Sequence, residues 1–426
     1  MNVADILDDL AWRGLLAQST DLGELRAMLA AGPVTLYCGF DPTAASLHVG
    51  SLVQLLTLRR FQQVGHRPIG LVGGATGLIG DPSGKSDERV LNSAEVVAGW
   101  VERIREQVSR FLDLTDDRAL LVSNLDWTGP MSAIEFLRDI GKHFPVNRML
   151  ARETVKTRLE TSGMSYTEFS YVLLQSLDYL ELYRRYGCRL QTGGSDQWGN
   201  LTAGADLIRR VEGGSAHALT TPLVTRADGT KFGKTASGEN YWLDPELTSP
   251  YAFYQFWFNA DDRDVVKYLK YFSFRSREEI EELEKETAER PAARSAQRAL
   301  AVELTTLVHG EAECDRVVAA SRALFGQGSL ADLDERTLGA ALAEVPRVSV
   351  PTGAALPAVA DLFAETGLVK SKSEARRAID QGGAYLNNAK IAAADAVPGA
   401  DDLLYGRFLV LRRGKRSVGG VEVTAP

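Results

Sequence analysis

Apolar positions recur along the first third of the chain in a strand–helix–strand rhythm. Residues 34–40, VTLYCGF, are almost wholly apolar and predict a buried strand. Residues 50–64 carry Leu52, Leu55, Leu56 and Phe61 at helical spacing, and residues 68–73 predict a second strand. That order predicts a parallel α/β sheet, a fold that places ligands at the C-terminal edge of its strands. Helices are predicted over 95–112, 131–143 and 167–186, and CRLQT at 188–192 predicts a strand ending in a Gly-Gly turn. From about 248 to 325 the pattern becomes mostly helical. Residues 326–353, punctuated by Pro and Gly, read as a linker, and 354–426 as a small mixed α/β unit. The expected organisation is a Rossmann-like parallel-sheet domain over 1–247, an α-helical domain over 248–325, the linker, and the small C-terminal domain.

The stretch GGATGLIG at 73–80 has two familiar readings, and neither holds. A phosphate loop needs a glycine five positions before Gly84-Lys85, where Ile79 stands. A dinucleotide clamp needs a helix opening directly from the glycines, but Asp81-Pro82-Ser83-Gly84 intervenes. None of the 13 tyrosines has a lysine four residues on, as a Tyr-x-x-x-Lys dehydrogenase would require. The glycines instead let the backbone come close to a ligand or a packed helix, and they deliver Asp81 to the sheet edge.

Composition narrows the class. The chain is 45% hydrophobic and 24% charged, as soluble globular proteins are. No apolar run approaches the roughly 20 residues of a membrane helix. The acidic start lacks a signal-peptide pattern, and a cytoplasmic location is expected. Cys38, Cys188 and Cys314 are far apart and odd in number, which argues against a disulfide framework or structural zinc. Net charge is −8, yet residues from 351 onward hold ten Lys and Arg against eight Asp and Glu. A basic module on an acidic body suggests a polyanion as partner.

Four clusters carry candidate chemistry. After the first strand come Asp41, Thr43 and His48, then Gly50 at a helix start; hydroxyl, imidazole and free helix amides suit a triphosphate. A lone His48 reads more readily as a helix-capping or core histidine. KFGKT, with Lys231 and Lys234 and the glycines Gly229 and Gly233, is either a mobile cationic arm or a solvated hairpin. Tyr171, Gln175 and Asp178 share one face of a leucine-rich helix, so they line a polar pocket or face solvent. QTGGSDQWGN brings Gln191, Gly194, Asp196 and Gln197 to a strand end, where Asp196 suits ribose hydroxyls, although Gly and Asp are also common turn residues.

In order, YCGFDPTAASLHVG, GDPSGK, SYVLLQSLD, GGSDQWGN and KFGKT resemble the class I aminoacyl-tRNA synthetases, most closely the bacterial tyrosyl-tRNA synthetases. The resemblance spans essentially the whole chain. His48-Val49-Gly50-Ser51 stands at the family's H-I-G-H signature and Lys231–Thr235 at K-M-S-K-S, with Ser51 departing from the second signature histidine.

The resemblance implies that tyrosine attacks the α-phosphorus of Mg·ATP to give tyrosyl-adenylate and pyrophosphate, and that the tyrosyl group then passes to the terminal adenosine of tRNA(Tyr). It implies Thr43 and His48 on the γ-phosphate side, with Lys85, Arg89, Lys231 and Lys234 clamping pyrophosphate. Tyr37 and Asp178 would meet the phenol hydroxyl. Asp81, Tyr171 and Gln175 would hold the ammonium, with Asn124 nearby, and Gln191 and Gln197 would join the amino-acid site, Gln197 at the reacting carboxyl. Cys38, Gly39, Asp41, Gly50, Gly194 and Asp196 would hold ATP. ATP with Mg2+ is the implied cosubstrate, with no tightly bound cofactor.

The 248–325 block is implied to face the anticodon stem. SKSEARRAIDQGGAYLN resembles a small RNA-binding fold shared with a ribosomal protein; Lys370, Lys372, Arg376 and Arg377 would bind tRNA, and Arg412, Arg413, Lys415 and Arg416 would add charge. A homodimer is implied, with interface candidates near Tyr166 and in 131–145. The competing readings are an RNA-binding scaffold or splicing protein built on this fold, and a tryptophan-specific relative.

Overall fold

The computed structural model describes residues 6–83, 92–230, 232–235 and 237–424. By contacts these residues form two compact units: residues up to 244 together with 261–289, and residues 245–260 together with 290 onward.

The first unit is built on a six-stranded sheet. Its strands are β1 (Gln18–Ser19), β2 (Thr35–Phe40), β3 (Arg67–Val72), β4 (Leu120–Ser123), β5 (Cys188–Gly194) and β6 (His217–Thr221), in the spatial order β1-β6-β5-β2-β3-β4. All neighbours pair in parallel except the short edge strand β1, which is antiparallel to β6. The chain leaves β2 toward β3 on one side and returns with β5 on the other. The C-terminal crevice between β2 and β5 is therefore the switch point at which such sheets bind ligands. Tyr37 of β2 is the register partner of Gln191 on β5.

Helix Leu52–Gln63 follows β2 as expected, entered by a 3₁₀ turn at Val49–Ser51. Helix Tyr166–Tyr186 is capped by the Ser165 side chain at its start and by left-handed Gly187 at its end. Leu177, Tyr179, Leu180 and Leu182 on it pack in one cluster with Tyr37, Ile69 and Trp127. That packing turns Asp178 inward. Residues 131–143, expected as one helix, instead form short α, π and 3₁₀ turns between Ala133 and His143. Strands β4 and β6 lack a pattern that singled them out in the sequence.

In the second unit, helices Pro250–Phe258, Ser295–His309, Glu311–Leu324 and Glu335–Ala343 precede a sheet of β7 (Arg347–Pro351), β8 (Ala384–Leu386), β9 (Ala389–Lys390), β10 (Phe408–Arg413) and β11 (Ser417–Thr424). The spatial order is β7-β11-β10-β8-β9. Helices Val359–Glu365 and Lys372–Asp380 share this sheet's core, among them Phe363, Ile379, Leu409 and Val421. The stretch expected as linker thus contains a helix and β7, which pairs in parallel with β11. Helices Asp262–Phe272 and Arg277–Glu289, expected in a separate helical domain, belong by contacts to the first unit. Among the described residues no helix is long and apolar enough to cross a membrane.

Candidate functional site

A cavity of ≈ 210 Å³ opens at the switch point. Tyr37, Cys38, Gly39, Asp41, Asp81, Tyr171, Gln175, Asp178, Gln191, Gly194 and Gln197 line it, together with Gln54, Leu71, Thr76, Thr192, Gly193 and Leu201. Eleven residues singled out in the sequence, spread over about 160 positions, thus converge on one crevice.

Asp178 lies on the cavity wall, only 2% exposed. Its Oδ2 accepts from Asn124 Nδ2 at 3.0 Å and its Oδ1 from Trp127 Nε1 at 2.8 Å. Burial pushes its carboxyl from 3.8 up to about 8, and those two N–H donors pull the other way. Burial also raises the Tyr37 phenol well above its ordinary value, so Tyr37 keeps its proton. Tyr37 Oη, Gln175 Oε1 and Gln191 Oε1 are buried without a hydrogen-bond partner, and all three residues line this cavity. An unpaired buried polar atom costs about 1–3 kcal/mol, so three around one cavity point to a polar ligand there.

Asn124 is fully buried and lies outside the cavity lining. It was expected near the substrate ammonium; the structure puts it beneath Asp178, also donating to Thr76 Oγ1 and accepting from Ala75 N. Its amide is consumed by these bonds, so it acts by holding Asp178. Trp127 shares that task. Nothing in the sequence around either residue signalled it, because the contact joins 124–127 to a helix some 50 positions away.

Asp41 accepts from Tyr171 Oη on one oxygen and from Thr76 Oγ1 on the other, each at 2.6 Å. Gly73 makes room for it: a Cβ there would lie 2.0 Å from Asp41 Oδ1. Asp81 accepts from Gln197 Nε2 at 2.6 Å and from Ser83 N at 3.0 Å. Asp196 is raised by burial and next by the charge of Asp81. Asp41 and Asp81 beside one small cavity give it a field suited to a cation. Cys38, pushed up to about 12 by burial, remains a thiol and faces Gln54 Oε1 at 3.8 Å. Gln54 in turn donates to Thr221 Oγ1.

The two signature segments meet on one short backbone ladder. Leu243 N donates to Leu47 O, Val49 N to Tyr241 O, and Tyr241 N to Gly233 O, all at 2.8–3.0 Å. Gly233, with φ +74°, backs onto Val49: a Cβ there would come within 2.8 Å of Val49 Cγ2. His48 caps the turn, its Nδ1 accepting from Gly50 N at 3.0 Å. The helix-cap reading therefore holds and does not exclude the other one. A ring that accepts at Nδ1 carries its proton on Nε2, the tautomer that can donate to a phosphate oxygen. Ser51 N bonds His48 O at 2.8 Å, and its hydroxyl makes no cap bond. Thr43 is exposed in a turn closed by its N–H on Asp41 O. Lys234 is half-buried. Lys85, Arg89 and Lys231 lie outside the described residues.

In the second unit Lys370, Lys372, Arg376 and Arg377 are all exposed on or just before helix Lys372–Asp380. Lys372 pairs with Asp361 at 2.9 Å. Arg412, expected to add surface charge, is instead buried. Its guanidinium lies 3.9 Å from the Tyr385 ring centroid and donates to Asn388 Oδ1 and Gly414 O. It lies on the face of β10 opposite Leu409 and Leu411 and is covered there, so its charge is used inside the fold. Arg413 pairs with Glu374 at 2.8 Å, while Lys415 and Arg416 are exposed.

A parallel sheet with a polar crevice at its switch point, and an HVG segment joined through Tyr241 to Gly233, define a class I synthetase-type catalytic unit. A model of the tRNA synthetases class I (W and Y) matches residues 29–326, and one of the tyrosine–tRNA ligase SYY-like C-terminal domain matches 338–418. The chain belongs to the class I tRNA synthetase (W and Y) family. Among similar proteins, the tyrosine–tRNA ligase of Thermobifida fusca is 68% identical, covering 98% of this chain and 99% of the relative. That of Streptomyces avermitilis is 66% identical, covering 99% and 100%. Among solved structures, a C-terminally truncated mitochondrial tyrosyl-tRNA synthetase of Aspergillus nidulans aligns with TM-score 0.69 and 31% identity, over 75% of this chain and 94% of that one.

Proposed function

We infer that the chain is a tyrosine–tRNA ligase, which activates tyrosine with ATP and transfers the tyrosyl group to the 3′-terminal adenosine of tRNA(Tyr). The observation that carries the specificity is the buried Asp178 carboxyl, fixed by Asn124 and Trp127 in a cavity that also holds the Tyr37 hydroxyl. Together these two groups offer a donor and an acceptor to a phenol hydroxyl. Phenylalanine would leave the Tyr37 hydroxyl unpaired and the Asp178 carboxyl with only its Asn124 and Trp127 bonds, and an indole brings no hydroxyl to them. This, with the tyrosine-specific relatives, disfavours the tryptophan reading.

In this reading Asp81, Tyr171 and Gln175 face the ammonium, Gln191 and Gln197 complete the amino-acid site, and Asp41 holds Tyr171 in place. Cys38, Gly39, Gly50, Gly194 and Asp196 lie along the ATP side, and Mg2+ enters with ATP. The tyrosine carboxylate attacks the α-phosphorus and pyrophosphate leaves. Thr43 and His48 donate to the phosphates, and Lys85, Arg89, Lys231 and Lys234 neutralise the leaving group. No protein nucleophile takes part; catalysis is positioning plus electrostatic stabilisation. The helical block 248–325 faces the anticodon stem, and Lys370, Lys372, Arg376 and Arg377 contact tRNA phosphates. The protein works in the cytoplasm as a homodimer, a reading supported by exposed apolar side chains at Ile134, Leu137, Val146, Leu150, Leu159 and Tyr166.

ATP–pyrophosphate exchange with each of the twenty amino acids tests the reading. Exchange is expected with tyrosine alone and is expected to be lost in Asp178→Ala. Folded protein that exchanges with no amino acid would instead support the RNA-binding scaffold.

A further inference from the structure

Asn200 lies outside the cavity lining, one helical turn beyond Gln197 on helix Trp198–Glu212, and is 9% exposed. Its Nδ2 donates to Gln197 Oε1 at 3.2 Å and to Ser83 Oγ at 3.4 Å. Its Oδ1 accepts from Arg152 Nη1 at 3.5 Å. Both of its acceptors belong to residues that also donate to Asp81: Gln197 through Nε2 at 2.6 Å and Ser83 through its backbone N at 3.0 Å. One amide thus touches both supports of the carboxylate.

We propose that Asn200 is a positioning residue for the amino-acid site, fixing the Gln197 amide so that its NH2 end faces Asp81. The proposal deepens the tyrosine–tRNA ligase reading and rests on it, because it takes Asp81 and Gln197 as substrate contacts. The two ends of a glutamine amide are nearly equal in shape, so hydrogen bonds alone decide which way it points. Asp81 contributes to that choice by accepting from Nε2. A bound ammonium competes for the same carboxylate oxygens and weakens this hold. The bond from Asn200 to Oε1 persists, and it keeps the amide from turning its oxygen toward Asp81. Arg152 sets the Asn200 amide in the same way, since a guanidinium only donates and therefore selects Oδ1. The chain of orientation runs from Arg152 through Asn200 and Gln197 to Asp81, joining three segments that are remote in sequence.

The test uses the full chain in tyrosine-dependent pyrophosphate exchange. Asn200→Ala is expected to raise the tyrosine KM about tenfold, the size of one lost polar contact, with the ATP KM unchanged. The double variant Asn200→Ala/Gln197→Ala is expected to be no worse than Gln197→Ala alone, since Asn200 acts through that side chain. Near-isosteric Asn200→Asp, which keeps the packing but replaces the donor with an acceptor facing Gln197 Oε1, is expected to raise the tyrosine KM at least as much. An unchanged tyrosine KM in either single variant overturns the proposal. So does a double-variant loss equal to the product of the two single losses, or a parallel rise of both KM values with a lowered Tm. Failure of the unmodified chain to exchange with tyrosine would count against the ligase reading itself, and is seen before any variant is made.

Discussion

Asp178 shows how one side chain can be costly to the fold and valuable to the site. Burial raises its carboxyl from 3.8 to about 8. Because the folded value lies above the unfolded one, the folded chain keeps a proton that the unfolded chain loses. Stability therefore falls as pH rises from about 4 to about 8, and the cost is complete above that window. Asp178→Asn removes this titration. At low pH the variant is expected to be the less stable, since one amide oxygen must face two donors, Asn124 Nδ2 and Trp127 Nε1. Denaturant melts from pH 4 to 8 should show the difference moving in the variant's favour as pH rises. A constant difference would mean that Asp178 is already ionised in the folded protein at low pH. The same variant should lose preference for tyrosine over phenylalanine. Discrimination of this kind is already documented for tyrosyl-tRNA synthetases, so only its dependence on this residue is predicted.

At the scale of elements, helix Asp262–Phe272 fixes the segment that carries the lysine signature. Both oxygens of buried Asp264 accept from Ala227 N, at 3.1 and 2.9 Å, and Lys267 Nζ donates to Thr225 O at 2.6 Å. Further along, Phe232 stacks on Phe272 at 5.6 Å between centroids and packs beside Tyr268. The helix is itself anchored, because Arg13 and Arg60 both donate to Ser273 O at its C-terminal end. Asp264→Ala is expected to lower the rate of exchange by about tenfold while tyrosine affinity, read by equilibrium binding without ATP, stays within twofold. Equal losses in both would show that the helix supports the whole unit rather than the lysine segment.

For the whole molecule, charge is unevenly distributed along the chain. Acidic side chains gather at the catalytic crevice, while the C-terminal module carries its exposed Lys370, Lys372, Arg376 and Arg377 on one stretch. Contacts to tRNA phosphates release counterions, so each adds to both affinity and salt dependence. Arg376→Glu/Arg377→Glu is expected to raise the tRNA KM of aminoacylation about tenfold and to flatten its dependence on salt. Tyrosine-dependent exchange should change far less. If both reactions fall together, these arginines serve the fold and not the tRNA.

Periodicity made β2, β3, β5 and the helices over 52–63 and 166–186 legible, because each buries a continuous or one-sided apolar surface that leaves a local signature. The signature segments are legible through their resemblance to the class I synthetases, since KFGKT read alone also fits a solvated hairpin. Strand β4 and the turns of 133–143 left no such trace, and the partners that orient the site left even less. Asn124 and Trp127 under Asp178, Thr76 beside Asp41, and Gln54 beside Cys38 are ordinary residues in ordinary local settings. Arg412 has the composition of an RNA-binding residue and the position of a core one. The sequence by itself determined the elements and the chemical vocabulary, because both follow from short-range pattern. Tertiary structure alone decided which carboxylates are buried, which amide faces which oxygen and which charge is spent inside, because those depend on contacts between residues tens to hundreds of positions apart.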